Sequence, residues 1–475
     1  MADTVPPGRP GNLTPDQEAK LQELWTRTLK IFGVAGSSAD IVDGHSTENA
    51  SLLSPGDQTD TNDSEKKKKK SHNPFSRKHR EDAQGGSEAD GKRTVRSSMD
   101  SEDKFGQTKE YNQAIATTSP EQLRQAFWTM VKHDNPDGLL LRFLRARKWD
   151  VEKALIMLIS TMHWRAEEMH VDDDVIHKGE GGAALDSLNA DPAIKNEGKD
   201  FMAQIRMGKS FLHGKDKDGR PMCYVRVRLH KQGEQSEHSL ERYTVYVIET
   251  ARLLLSPPVD TATLVFDMTG FSMANMDYTP VKFMIKCFEA NYPESLGAVL
   301  VHKSPWIFQG IWKIIRGWLD PVVASKVHFT NNVEELERFI PRNHILKELG
   351  GEDPWTYQYV EPVVDEDKRM LDNDTRQKLL RERAEVVKDY ESATQEWIRN
   401  SRFDHGLQKT RNDLAERLRT GYWQLDPYVR ARTLYDRTGM IREEGEIQYY
   451  KTSTSSAPPA HNGPIPAGHG PDDLD

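Results

Sequence analysis

The sequence predicts an α/β protein with a helical N-terminal lobe, a mostly parallel sheet and a helical C-terminal extension. Three observations predict it. Apolar residues recur at helical spacing in successive segments up to Met162. From about residue 200, short apolar runs of strand length alternate with helices of about 10–15 residues, the pattern of a parallel sheet. Beyond Leu349-Gly350-Gly351 the chain passes into long, charged amphipathic segments.

The first helix runs from Leu13 to Phe32, with Thr14-Pro15 as cap and first-turn proline and Leu21, Leu24, Trp25 and Leu29 as its apolar face. Residues 34–109 then lose their apolar period and read as a disordered insert. It carries Lys66–Lys70, then Arg77, Lys78 and Arg80. That run reads as a solvated linker, a nuclear address or a hook for anionic lipid. Order returns near Tyr111. Ser119-Pro120-Glu121 starts a helix through Leu123, Phe127 and Val131. Asp137-Gly138 opens a second, and Asp150 caps a third bearing Ala154, Leu155, Leu158, Ile159 and Met162.

In the α/β part, Asp216 to Pro221 is a turn leading into a strand from Met222 to Leu229. A helix Leu240–Leu255, a strand Thr263–Asp267, a helix Pro280–Tyr292 and a strand Ala298–His302 follow. Next comes a Trp-rich helix, then a strand Val327–Phe329 and a helix Val333–Phe339. Thr375–Ile398 and Leu407–Leu418 are charged amphipathic helices that pack on the domain or on a partner. The expected segments are 1–33 (N-terminal segment and first helix), 34–109 (insert), 110–170 (helical lobe), 171–355 (sheet lobe), 356–451 (helical extension) and 452–475 (disordered tail).

The Trp-rich stretch from Ser304 to Lys326 organises the reading. On a helical wheel Ile307, Phe308, Ile311, Ile314, Ile315, Trp318 and Leu319 cover roughly 160°, wider than the ~100° of an ordinary surface helix. Gln309, Lys313 and Arg316 form a narrow polar stripe with Gly310 and Gly317 beside it. Asp320-Pro321 closes the helix. At ~15 residues it is too short to span a bilayer, which needs about 20. It reads either as a core helix between two layers or as a lid, one side on an apolar cavity and the other meeting a membrane interface.

Composition narrows the function. The 475 residues are 36% hydrophobic and 29% charged, with a net charge of −9, which argues against a general nucleic-acid binder. Cys223 and Cys287 in apolar surroundings argue for a reducing compartment. There is no apolar run long enough to span a membrane and no signal-like start, so the expected location is cytoplasmic. Gly208-Lys209-Ser210 lacks the glycine a phosphate loop needs, Ala203 standing in its place. Asp216-x-Asp218-Gly219 lacks the rest of a calcium loop. A Gly-x-Ser-x-Gly elbow and zinc-type histidine spacing are both missing. No feature asks for catalysis or a cofactor.

Several segments together resemble the CRAL-TRIO lipid-transfer family, in its fungal phosphatidylinositol-transfer branch. They are Pro10-Gly11-Asn12-Leu13, Leu140 to Lys148, Lys215 to Pro221, Phe266-Asp267-Met268-Thr269-Gly270, Asn291-Tyr292-Pro293-Glu294, and Leu319-Asp320-Pro321 through Ser325-Lys326. The resemblance covers roughly residues 10–33 and 137–351. It implies a sheet flooring a deep apolar pocket under a gate helix, here Ile307, Phe308, Ile311, Trp312, Ile315, Trp318 and Leu319. It implies a non-catalytic carrier that holds one phosphatidylinositol and exchanges it at membrane surfaces. The inositol-phosphate site maps onto Arg147, Glu294 and Lys326, with Asp216 as an accessory. A family threonine is replaced by Val323, and two hydroxyl residues of the choline site by Ala262 and Leu264. Phosphatidylcholine is therefore disfavoured, and a sterol or squalene becomes a candidate second ligand. Rival readings are a sensor that presents lipid to a partner bound by the C-terminal helices, and an enzyme with a lipophilic substrate. Arg147 also reads as a plain member of a basic helix face with Arg142 and Arg145.

Overall fold

The structure is a computed structural model that describes residues 5–34, 103–400 and 405–450. The Lys66–Lys70 run, most of the expected insert and the tail 452–475 lie outside the described residues. Residues 5–34 and 105–450 belong to one compact unit.

Among the described residues, five helices form the N-terminal lobe: α1 (Pro15–Ile31), α2 (Gln107–Thr117), α3 (Pro120–Val131), α4 (Pro136–Ala146) and α5 (Val151–His163). Side-chain caps set every start but that of α2, which follows Gly106. Thr14 and Ser119 form capping boxes with Gln17 and Gln122, and Asn135 and Asp150 each accept a first-turn N–H. α2 begins at Gln107, ahead of Tyr111. The apolar faces meet in one core that holds Trp25, Phe127, Leu140 and Leu158.

Two further helices, α6 (Ile176–Asp186) and α7 (Pro192–Arg206), lead into the sheet. Neither was expected, because Gly179, Gly181 and Gly182 interrupt the apolar period of the first. The sheet contains β1 (Ser210–Lys215), β2 (Pro221–Arg226), β3 (Ala262–Asp267), β4 (Leu296–His302) and β5 (Val327–Thr330), in the order β1-β2-β3-β4-β5. β1 is antiparallel to β2 and the other pairs are parallel. β1 was missed; its apolar run, Phe211-Leu212, is only two residues long. β2 ends at Arg226 rather than Leu229, because Val227–Leu229 tightens into a 3₁₀ turn. Between strands lie α8 (Glu237–Leu253), α9 (Tyr278–Lys286), α10 (Phe308–Arg316) and α11 (Pro321–Ser325).

Strand register sorts the side chains into two faces, as alternation requires. Cys223, Leu264, Val299 and Val327 align across four strands, and Val225, Phe266, Val301 and Phe329 align in the adjacent row. The opposite face, with Tyr224, Val265 and Leu300, is sealed by Leu336, Ile340, Ile345, Leu346 and Leu349.

The C-terminal helices α12 (Asn373–Arg399) and α13 (His405–Val429) pack on the N-terminal lobe. Val387, Tyr390, Ala393, Trp397 and Leu418 share the core that holds Trp25 and Phe127. Packing on the domain, one of the two readings of these helices, is what the structure shows. The chain then returns across the sheet's edge. Backbone N–H groups of Ser210, Leu212 and Lys215 on β1 donate to the hydroxyls of Tyr243, Tyr435 and Tyr450 at 3.1, 2.7 and 2.9 Å. This satisfies donors that an edge strand otherwise leaves open.

Candidate functional site

Along β3 the residues alternate in burial. Thr263, Val265 and Asp267 are buried, whereas Ala262, Leu264 and Phe266 are only half-buried. An apolar face less buried than its polar neighbours is one that lines open space. Above it lies a cavity of about 80 Å³, walled by Cys223, Val225, Ala262 and Leu264 from the sheet and by Tyr243, Val247, Ile248 and Ala251 from α8. Met284 and Phe288 close one side, and Ser295 and Leu296 line it at the start of β4. Both positions expected at a choline site, Ala262 and Leu264, are therefore wall residues. A larger groove of about 460 Å³ opens between α12 and α13, but Glu382, Arg383, Asp413, Glu416 and Arg417 line it. Leu379, Val386 and Leu418 line it as well.

The expected gate helix is shorter than the sequence suggested. α10 has nine residues, and Trp306 and Ile307 precede it in a turn. Phe308, Ile311 and Ile315 are its buried side and cluster with Met268, Ile285 and Val301. Partly buried Phe266 and Phe329 pack against the same cluster. The helix thus covers the sheet-face row next to the cavity. Trp312 packs edge-on to Phe329, and Trp318 packs edge-on to Tyr278 with Lys282 over its ring. Of the three tryptophans expected at an interface, only Trp306 is bare, at 86% exposed. Leu319 is half-buried in the same cluster. On the outer side Ile307 and Ile314 are exposed among Gln309, Lys313 and Arg316.

Beside the cavity, Glu294 and Lys326 face each other, Nζ to carboxylate 3.7 Å, both side chains about four-fifths buried. Glu294 occupies a left-handed backbone conformation, φ 53°, in the turn after Tyr292-Pro293; this costs a non-glycine residue energy. Lys326 ends α11, and its carbonyl accepts from the Val299 N–H at 2.9 Å. Val323 lies half-buried one turn earlier. Arg147 caps α4 and donates to Gln107, whose amide reaches the Ala290 carbonyl at 3.2 Å. Arg147 is thus tied to the segment that leads to Glu294.

Asp216 is not brought to this place. Its carboxylate accepts from the Asp218 and Arg220 N–H groups and from the Thr263 hydroxyl at 2.7 Å. It closes the β1–β2 turn, and Thr263 points to the face opposite the cavity.

Sequence reasoning missed Arg142 and Arg252 as contributors. Arg142 donates to the Glu294 carbonyl at 2.9 Å. Its three-residue spacing from Arg145 on one helix face was the available signal. Arg252 lines the cavity and pairs with Glu249, which also binds Lys132 and Arg165, each at 2.6 Å. Burial pushes the Glu249 carboxyl up, but these cations win and hold it well below its usual range. The two cysteines are buried and unpaired, and burial pushes Cys223 up to about 12, which leaves it an inert thiol. No helix among the described residues is long and apolar enough to cross a membrane.

The CRAL/TRIO domain matches residues 205–351, and its N-terminal companion domain matches residues 107–160. A CRAL-TRIO domain-containing protein of Schizosaccharomyces pombe is 44% identical over 91% of this chain and 92% of its own length. The phosphatidylinositol transfer protein CSR1 of Eremothecium gossypii is 37% identical over 93% of this chain and all of its own length. Among solved structures, Sfh5 aligns with a TM-score of 0.36 at 19% identity, over 46% of this chain and 71% of that one. Both long relatives extend across the C-terminal helices as well as the sheet lobe, and on that full-length similarity the chain belongs to the CRAL-TRIO family.

Proposed function

We propose that this protein is a non-catalytic carrier that holds one phosphatidylinositol and exchanges it between membranes. The observation that carries the reading is the apolar cavity on the sheet face, with the Glu294–Lys326 pair directly beside its Ser295–Leu296 wall. Lys326 supplies a cation for the phosphodiester, and Arg147 supplies a planar fork. Glu294 accepts from inositol hydroxyls, which choline lacks. The name of the Eremothecium relative supports the same ligand.

The energetics require a gate. Each buried CH₂ is worth ~0.8 kcal/mol, so two acyl chains of about thirty such groups cost over twenty kcal/mol to expose. A cavity of about 80 Å³ is far too small for two acyl chains, so admitting them requires the Phe308–Ile311–Ile315 face to lift from the sheet. Exchange then proceeds at a membrane. There Trp306, Ile307 and Ile314 enter the interface, while Lys313 and Arg316 meet anionic head groups. The protein works in the cytoplasm and visits membranes transiently.

A neutral lipid is a second reading, favoured by Ala262 and Leu264, which bring no hydroxyl to the cavity wall. Both readings are separated by liposome transfer with Glu294→Gln and Lys326→Ala. We expect each to lower phosphatidylinositol transfer at least tenfold while leaving neutral-lipid uptake intact. Undiminished phosphatidylinositol transfer by both variants contradicts the head-group assignment.

A further inference from the structure

We propose that Arg9, Arg142 and Arg145, gathered around Asp260 beside the Glu294–Lys326 pair, form a second anion site that takes a phosphomonoester. Only the lipid source of that group rests on the phosphatidylinositol reading. Arg9 Nε and Arg145 Nη2 both donate to the same carboxylate oxygen of Asp260, each at 3.1 Å. The remaining acceptors are backbone carbonyls: Pro7 for Arg9, Gly8 for Arg145, and Glu294 and Asp260 for Arg142. These carbonyls satisfy hydrogen bonds but cancel no charge.

Three guanidinium groups offer fifteen N–H donors, of which six reach these protein acceptors. The Arg145 Nε is buried with no partner. Burial pushes Arg145 down to about 10, Arg9 and Arg142 push it further, and Asp260 and Glu294 oppose them. Positive charge is therefore in excess here. Stapling the N-terminal residues to the sheet lobe explains the bonds to Pro7 and Gly8, but it does not call for three cations where Asp260 is the one carboxylate they bond, Glu294 and Asp134 acting on them from further off and being shared with Lys326 and Arg252.

The position suits a ligand. Arg142 holds the carbonyl of Glu294, the residue whose carboxylate meets Lys326, so the cluster adjoins the proposed head-group socket. Arg9 and Asp260 keep 20% and 25% of their side chains exposed, so an anion reaches them from water. A phosphomonoester carries about −1.5 to −2 charge at pH 7 and three strong acceptor oxygens. It neutralises the surplus and engages guanidinium forks. Its source is either a ring phosphate on an inositol lipid or free phosphate.

The test uses the full chain and Arg9→Gln, which alters a residue outside every helix and strand. Binding is measured to vesicles containing phosphatidylinositol, to vesicles containing a phosphatidylinositol monophosphate, and, by calorimetry, to inorganic phosphate. We expect Arg9→Gln to weaken capture of the monophosphate vesicles at least tenfold, with phosphatidylinositol transfer unchanged. A tenfold loss confined to inorganic phosphate also supports the site and assigns it to free phosphate. If the unaltered chain binds neither phosphate nor monophosphate vesicles better than phosphatidylinositol vesicles, the site is refuted, whatever the variant's folding. Equal binding by chain and variant refutes it too. A chain that carries no phosphatidylinositol overturns the function above, while the phosphate titration still decides this proposal.

Discussion

His133 shows how much the environment of a single residue decides. It is 4% exposed, its ring lies 5.0 Å from Trp423 and 5.7 Å from Tyr422, and neither nitrogen has a partner. Burial pushes it down to about 4; Asp134 opposes this, and Arg252, Arg419 and Lys132 add to it. The folded state therefore keeps the ring neutral, whereas the unfolded chain protonates it near 6.5. Stability falls as pH drops from about 6.5 to about 4 and levels off below. The shift corresponds to about 3 kcal/mol. His302, also held down to about 4, adds to the same slope. His133→Phe should remove its share of that slope, and urea unfolding across this range measures it. At this scale the sequence was least legible. Glu294 and Lys326 each look like solvated charges, and only the family resemblance paired them. Asp216 stands in a matching motif, yet Thr263 and two turn amides use up its carboxylate. A side chain's partners come from register and turn geometry, which spacing along one chain does not encode.

Elements were more legible, because caps and period are local. Thr14, Ser119 and Asp150 start helices where the sequence placed them. The misses have physical causes: three glycines blur α6, and a short apolar run hides β1. α10 was overestimated because Trp306, Ile307, Trp318 and Leu319 continue its apolar pattern through non-helical turns. Its two glycines give a test of gating. Neither has a positive φ, and a Cβ at Gly310 meets open space. Alanine at Gly310 should stabilise the helix by about 0.5–1 kcal/mol. If the helix swings near Gly310 and Gly317, the double alanine variant transfers lipid several-fold more slowly with bound lipid undiminished. Transfer at the original rate dismisses the hinge.

The C-terminal extension is tied into the helical lobe. Asp137 on α4 accepts from Trp25 at 2.7 Å, Tyr390 at 3.0 Å and Arg411 at 2.6 Å, so one carboxylate joins α1, α4, α12 and α13. Arg411 is 1% exposed and lies 4.0 Å over the Trp397 ring. Arg411→Ala leaves a buried carboxylate without its cation and should cost about 3–5 kcal/mol in urea unfolding. A loss below 1 kcal/mol means the extension is only loosely attached. Charged amphipathic helices read equally well as partner-binding or self-packing. Their apolar stripes carry no address, and only the three-dimensional fit with Trp25 and Phe127 shows the packing on the chain's own core.

The central claim is that the cavity beside Glu294 and Lys326 carries an intact inositol lipid. Mass spectrometry of lipid extracted from the purified full chain tests it most directly. We expect unmodified phosphatidylinositol at about one molecule per chain in the original protein, and its selective loss from Lys326→Ala. Extraction of chemically altered lipid, or of phosphatidylcholine in its place, contradicts it.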